Sequence, residues 1–383
     1  MKDKVRIGII GVGGMGSYHA AYVQRGDIQR CELTAVSDID ESRLQRFTDV
    51  KTFTDNRELM CSGLVDAVLI ATPHYDHTPI SIDAFQQGIH VLVEKPIAVH
   101  KADAERMIAA HKGTGLVFSA MFQMRTDPLF RKLKRLIDNG ELGEIARACW
   151  IATDWFRTEA YYASGGWRAT WNGEGGGVLL NQCPHNLDML QWLLGMPGKI
   201  RGFCGLGVKH DVEVEDRVTA YFEYPNGATG VFVTSTGEAP GTNRLEIAGE
   251  RGKITVEDGK MRFVRNEVPM TEFSKTSSQG FARPERWYID IPFGDGTADH
   301  RVITQNFVDA ILDGADLIAP AAEGINSVEI ATSILYSSLT NATVEIPLNS
   351  AAYEALLNDL RAKSKFTKKT VVAASDDITK SFK

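Results

Sequence analysis

Cysteines that form a disulfide framework or a zinc site come paired or closely spaced, and in this sequence they do neither. Cys31, Cys61, Cys149, Cys183 and Cys204 are odd in number, scattered and without C-x-x-C spacing. They read as reduced, mostly buried thiols, and no metal is expected. No apolar run approaches the ~18 residues of a membrane span, so a membrane partner is not expected. The chain enters a β-prone run within four residues of Met1, which leaves no room for a signal peptide. The expectation is a cytoplasmic protein. Nor does a long Lys/Arg run offset the net charge of −7, which argues against a nucleic-acid partner. The basic stretch Lys363 to Lys369 is short and reads as a solvated face. Internal repeats and low-complexity tracts are also absent.

What is there begins at Val5. The run Val5 to Ile10 is apolar and β-prone, and Gly11, Gly13 and Gly16 follow in G-x-G-x-x-G spacing as a helical pattern starts over Met15 to Arg25. Gly11 permits a tight turn, Gly13 lets backbone approach a pyrophosphate, and Gly16 lets the helix pack on the strand with its positive end at the phosphates. A second apolar run from Leu33 ends at Asp38, where a carboxylate accepts from both ribose hydroxyls and repels a 2′-phosphate. That favours NAD over NADP. The competing reading of Asp38 is a turn residue before a helix starting at Asp40.

At 383 residues, with 43% hydrophobic and 24% charged residues, the chain has the size of about two globular domains. Up to about Met121, apolar runs at Val5 to Ile10, Leu33 to Val36, Ala67 to Ala71, His90 to Val93 and Leu116 to Ala120 alternate with helical segments, including Ser81 to Gln87 and Ala102 to His111. Such alternation predicts a parallel sheet with helices on both faces and ligands at the carboxyl ends of its strands. Two strand ends carry chemistry: Thr72-Pro73 with His74 and His77, and Glu94-Lys95-Pro96.

Beyond Arg125 the pattern changes. After a basic helix over Pro128 to Asn139, alternating runs at Glu144 to Thr153, Lys199 to Val208, Arg217 to Tyr224, Ala228 to Ser235, Arg244 to Ala248, Lys253 to Val256 and Lys260 to Val264 are punctuated by Asn226-Gly227, Arg251-Gly252 and Asp258-Gly259. These are hairpin signals, and they predict a second, mainly antiparallel sheet with one face left open. A helix over His185 to Leu194 interrupts the strands. It is preceded by Gly173-Glu-Gly-Gly-Gly and Asn181-Gln-Cys-Pro184, which places His185 in its first turn. The positive end of that helix disfavours imidazolium and leaves a neutral ring able to accept a proton. Asp154, Trp155, Phe156, Arg157, Tyr161, Tyr162, Trp167, Arg168 and Trp171 form an aromatic and arginine-rich loop. It suits either the C–H faces and hydroxyls of a sugar or a packing interface. His300, ahead of a helix over Ile303 to Leu312, is a weaker site candidate.

Together the glycine loop, Thr72-Pro73 with His77, Glu94-Lys95-Pro96 and the glycine run leading to His185-x-x-Asp188 resemble the glucose-fructose oxidoreductase / inositol dehydrogenase / MocA (Gfo/Idh/MocA) family. The resemblance implies an α/β protein: an N-terminal Rossmann domain over residues 1–124, a C-terminal α/β domain on a large open sheet over 125–350, and a helix and tail over 351–383. It implies NAD held by Gly11, Gly13, Gly14, Met15, Gly16, Asp38, Ile39, Thr72, Pro73, His77, Glu94 and Lys95, and hydride transfer on a sugar, glycoside or cyclitol hydroxyl. Lys95 and His185 would be the acid/base pair, with substrate contacts from Asp154, Tyr161, Trp167, Arg168 and Asn181. Many members carry Asp where this chain has Asn181, and an amide can hold a hydroxyl but cannot take up a proton. A homodimer or homotetramer is implied as well. Two other activities stand on the same scaffold: a glycoside-processing enzyme that oxidises its sugar transiently, and a non-catalytic nucleotide or sugar sensor.

Overall fold

A computed structural model of the chain describes residues 3–368. Residue 369, the end of the basic stretch, and the rest of the tail expected to 383 lie outside the described residues. The first sheet has six strands: β1 (Val5–Ile10), β2 (Cys31–Ser37), β3 (Lys51–Phe53), β4 (Ala67–Ile70), β5 (His90–Val93) and β6 (Phe118–Ala120). All its pairings are parallel, in the order β3-β2-β1-β4-β5-β6. This is the doubly wound order, in which the direction of winding reverses between β1 and β4 and opens a crevice at their carboxyl ends. β4 is buried along its whole length, as a strand covered by helices on both faces must be.

Helices α1 (Gly14–Gln24), α2 (Glu41–Leu44), α3 (Asn56–Cys61), α4 (His74–Gln86) and α5 (Lys101–His111) alternate with these strands. Asp40 caps α2 through its side chain, which accepts from Ser42 N. The helix expected from Ser81 starts seven residues earlier: Pro73 caps α4, and Pro79 lies inside it. Two prolines hide that helix from a pattern reading, because each removes a backbone donor while the surrounding packing keeps the helix continuous.

After α6 (Pro128–Asp138) come β7 (Ile145–Ala152), α7 (Glu159–Ala163), α8 (Pro184–Leu194), β8 (Lys199–Leu206), β9 (Glu215–Glu223), β10 (Thr229–Ser235), β11 (Asn243–Gly249), β12 (Gly252–Glu257), β13 (Lys260–Asn266), α9 (Met270–Thr276), β14 (Arg286–Asp290), α10 (His300–Asp313), α11 (Gly324–Thr340), β15 (Val344–Glu345) and α12 (Ser350–Lys363). The second sheet runs β14-β13-β12-β11-β7-β10-β9-β8-β15. It is antiparallel except where β7 and β10 pair in parallel. Val218, Ala220 and Phe222 of β9 are buried while Thr219, Tyr221 and Glu223 are exposed, the alternation of a sheet with one open face.

Strands β3, β14 and β15 carry too little pattern to be read in advance. α11 was also invisible, because it is buried nearly all round and so has no amphipathic stripe. Two cores result. The first surrounds the parallel sheet and also takes Ile303, Phe307 and Val308 of α10 and Val328 of α11. The Rossmann core is thus completed by residues from near the end of the described chain.

Candidate active site

The glycine turn is built as its spacing demands. Gly11 has φ +84°, and a Cβ there would lie 2.9 Å from the Ala71 carbonyl; a Cβ on Gly16 would lie 1.8 Å from Gly11 O. Above Gly13 the nearest atom is an Arg43 guanidinium nitrogen at 3.8 Å, so the space over the turn is left for a ligand. Asp38 directly follows β2: its Oδ2 accepts from Val12 N (2.9 Å) and its Oδ1 from Asp40 N (2.9 Å). Its neighbour Ile39 is exposed at the rim. Arg43, beside Asp38, is also paired with Asp40. Ser37 Oγ and Thr72 Oγ1, at the carboxyl ends of β2 and β4, are buried without a partner among the described residues. Buried hydroxyls of this kind call for one.

Thr72 and Pro73 form the rim where α4 starts. His77, fully buried, points back from α4 between Thr72 O (2.9 Å) and Pro96 O (2.8 Å). Burial lowers its pKa, and a neutral ring donates to one carbonyl at a time. It braces the two strand ends against each other. Glu94 is likewise turned inward. Its Oε1 faces His19 Nε2 at 2.8 Å, and Oε2 accepts from Lys95 N at 3.0 Å. Burial pushes the Glu94 carboxyl up, but His19 and the neighbouring cations outweigh it and hold it down at about 2. The network continues from His19 Nδ1 to Tyr22 (2.7 Å) and from Tyr22 to Thr304 of α10 (2.6 Å). Of these, His19, Tyr22 and Thr304 carry no motif that a sequence reader would single out.

Lys95 leaves the end of β5 and donates from Nζ to the carbonyl of Asn181 at 2.9 Å. Its surroundings lower its pKa, burial most of all. The Asn181 side chain does not point to an open face: its Nδ2 donates to Oε1 of Glu174, a residue 1% exposed. Below this loop Glu215 Oε1 accepts from Gly177 N (2.8 Å) and Leu179 N (3.0 Å), and burial raises the Glu215 carboxyl to about 7.

Pro184 opens α8, and His185 stands in its first turn as expected. The ring is buried with a pKa well below the ordinary histidine value, first because of burial and then because of Lys95. Burial therefore supplies the neutrality that the helix end was expected to supply. The Gln123 amide nitrogen lies 3.2 Å from His185 Nε2, and Nδ1 has no partner among the described residues. Arg125, two residues beyond Gln123, forms a bidentate pair with Asp188 (2.8 and 2.7 Å), both essentially inaccessible. That pair accounts for the acidic residue one turn after His185, since it locks α8 to the end of β6.

In the aromatic loop, Arg168 lies 4.7 Å over the rings of Tyr161 and Trp167 and donates to Tyr161 OH (2.9 Å). Gln182 donates to the same hydroxyl at 3.1 Å. Trp167 also meets His74 edge to face, which brings the loop against the start of α4. Asp154 is exposed and accepts from the Asn243 amide at 3.0 Å. His300 packs edge to face on Tyr18 and His19, on the buried side of Glu94.

A doubly wound sheet with a glycine turn, an acidic residue closing β2 and a lysine at the end of β5 defines a dinucleotide-dependent oxidoreductase. Residues 5–122 match the family described as "Oxidoreductase family, NAD-binding Rossmann fold" and residues 130–255 the "GFO/IDH/MocA C-terminal domain". The chain belongs to the Gfo/Idh/MocA family and is an NAD-dependent oxidoreductase.

Among relatives, it is 28% identical to myo-inositol 2-dehydrogenase of Thermotoga maritima over 65% of this chain and 74% of that one. It is 26% identical to levoglucosan dehydrogenase of Pseudarthrobacter phenanthrenivorans over 91% and 100%. Among solved structures, the WlbA dehydrogenase of Bordetella pertussis, in complex with NADH and UDP-GlcNAcA, superposes with a TM-score of 0.76 at 25% identity, covering 90% of this chain and all of that one.

Proposed function

We propose that the chain transfers a hydride between a hydroxyl-bearing carbon of a sugar, glycoside or cyclitol and NAD, with Lys95 and His185 as the acid/base pair. The observation that carries this reading is that Lys95, at the carboxyl end of β5, donates to the backbone carbonyl of Asn181 at 2.9 Å, three residues before the helix whose first turn carries His185; burial pushes both groups toward their neutral forms. NAD supplies the hydride acceptor. An alcohol losing hydride must also lose its hydroxyl proton, and a positioned base contributes about 10²–10⁴-fold to that step. Lys95 with a lowered pKa is able to accept the proton as free amine and, in the reverse direction, to polarise a carbonyl as ammonium. Neutral His185, held by Gln123 and by the α8 anchor Arg125–Asp188, is the second member of the pair.

Sugar or polyol chemistry is supported by the relatives, which are named as inositol and levoglucosan dehydrogenases, and by the aromatic loop at Tyr161, Trp167 and Arg168. NAD in preference to NADP is supported by Asp38. The test is NADH absorbance with NAD and a panel of sugars, glycosides and inositols. Net reduction supports this reading. Glycoside cleavage without net reduction supports the transient-oxidation alternative, and neither, with NAD still bound, supports a sensor.

A further inference from the structure

Glu174 is the only acidic residue between Ser164 and Cys183, and it is 1% exposed. Its Oε2 accepts from Ala169 N at 2.6 Å and its Oε1 from the Asn181 amide nitrogen. The carbonyl of that same Asn181 accepts from Lys95 Nζ at 2.9 Å. Two hydrogen bonds therefore separate a buried carboxyl from the amine at the reacting end of the site. Both carboxyl oxygens act as acceptors, which suits the ionised form. Burying such a charge is costly unless it is compensated: burial raises the Glu174 carboxyl above the ordinary glutamate value, while Arg168, the Ala169 N–H, the Asn181 amide and Lys95 pull it back, with Lys368 a further cation beside it. Lys368 itself donates to Gly165 O and Arg168 O, so it closes the loop that carries Glu174.

We propose that Glu174 is the positioning carboxylate of this active site: through the Asn181 amide it fixes the carbonyl that receives Lys95 Nζ, and its charge sets the proton affinity of that amine. The proposal rests on the reading of Lys95 as the acid/base group and explains how a chain with Asn at position 181 still places a carboxylate behind it. The other charged groups acting on Lys95 are Glu94, which favours the ammonium, and Arg168 and Arg157, which oppose it. His74, His185 and His300 are near it too, but burial keeps all three rings neutral near pH 7. Glu94 is already engaged by His19. Glu174 is thus the carboxylate whose loss leaves Lys95 with a surplus of cationic neighbours.

The test reads Lys95 directly and needs no substrate. Full-length, NAD-free protein is pulse-labelled with acetic anhydride across a pH series, and acetylation of Lys95 is followed by mass spectrometry against the exposed lysines. In Glu174→Gln, which keeps the volume and removes the charge, the Lys95 midpoint is expected to move down by about 0.5–1 pH unit. The double variant Glu174→Gln/Asn181→Asp returns a carboxyl one hydrogen bond nearer to Lys95 and is expected to bring the midpoint back to or above the wild-type value. An unmoved midpoint in Glu174→Gln with wild-type thermal stability overturns the proposal, as does a double variant whose midpoint stays low.

Should Glu174→Gln not fold, Asn181→Ala cuts the amide link while keeping the carboxylate. Labelling of Lys95 at fixed pH is then expected to speed up about threefold or more as the carbonyl loses its anchor, and an unchanged rate overturns the positioning role. The acid/base reading fails separately, through a Lys95→Ala variant that still reduces NAD at the wild-type rate.

Discussion

Lys95 and His185 are shifted toward neutrality by the same leading cause, removal from water, and the Lys95 charge adds to the shift of His185. If Lys95 is the base for alcohol oxidation, kcat/KM rises with pH as the free amine forms, and because its pKa is lowered that limb lies below the range of an exposed lysine. A pH–rate profile with its rising limb at the ordinary lysine value would remove Lys95 from the role. Lys95→Ala and His185→Ala are each expected to lower kcat by about 10²-fold or more while leaving the Kd for NAD, measured by fluorescence quenching, within about threefold. Asp38→Ser removes the carboxylate proposed to meet the ribose while Arg43 stays beside it. The ratio of kcat/KM for NAD over NADP is expected to fall about tenfold or more, with kcat for NAD little changed.

One element, α8, carries His185, and a buried ion pair ties it to the turn after β6. Asp188→Ala leaves the Arg125 guanidinium inside the protein with the half-exposed Glu323 as its remaining carboxylate partner. Breaking a buried pair in this way costs about 3 kcal/mol, and denaturant unfolding is expected to show it. Because Gln123 and Arg125 share one short turn with α8 as their common neighbour, the same variant is expected to lower kcat beyond what lost stability explains. The loop before α8 is equally constrained. A Cβ at Gly177 would lie 2.0 Å from Glu215 O, so Gly177→Ala must displace the backbone that receives the Glu215 carboxyl. A loss of about 1–3 kcal/mol is expected, together with reduced activity at saturating NAD.

Across the whole molecule, acid is the condition that tests the buried site. His74, His77, His185 and His300 are all lowered by burial, His300 to about 4. Below pH 6.5 the unfolded chain protonates these rings and the folded one does not, so the unfolded state binds more protons and stability falls as pH falls. Glu215 opposes this: raised to about 7, it takes up its proton in the folded state first and adds stability as pH drops from 7 toward its unfolded value of about 4.5. His100 is lowered by burial as well, and burial also raises Asp76, Asp127, Glu174 and Asp188. These carboxyls start from ordinary values of about 4 and act mainly below pH 5, so between pH 7 and pH 5 the rings prevail and a net loss remains. The melting temperature of the NAD-free protein is expected to fall by roughly 5 °C or more between pH 7 and pH 5. At the opposite face, Phe203 and Tyr221 are 57% and 39% exposed on the uncovered side of the second sheet. Apolar exposure on an open sheet face supports a dimer or tetramer formed through it. Light scattering is expected to give a multiple of the 42.1 kDa chain mass, and Phe203→Glu to lower it.

The primary sequence by itself determined the local features, whose causes lie within a few residues. The glycine turn at Gly11 to Gly16 follows from φ and close approach, the hairpins at Arg251-Gly252 and Asp258-Gly259 from turn chemistry, and the two sheet types from periodicity. His185 could be set in the first turn of α8 because Pro184 precedes it. The tertiary structure decided everything that depends on distance along the chain. Nothing in Gly173-Glu-Gly-Gly-Gly announces that its carboxyl meets Asn181, or that the Asn181 carbonyl meets Lys95 from 86 residues away. Nothing local marks His19 as the partner of Glu94, or Thr304 as the end of that network. These contacts arise because packing two cores together removes polar groups from water, and each such group must then find its partner wherever the fold has carried it.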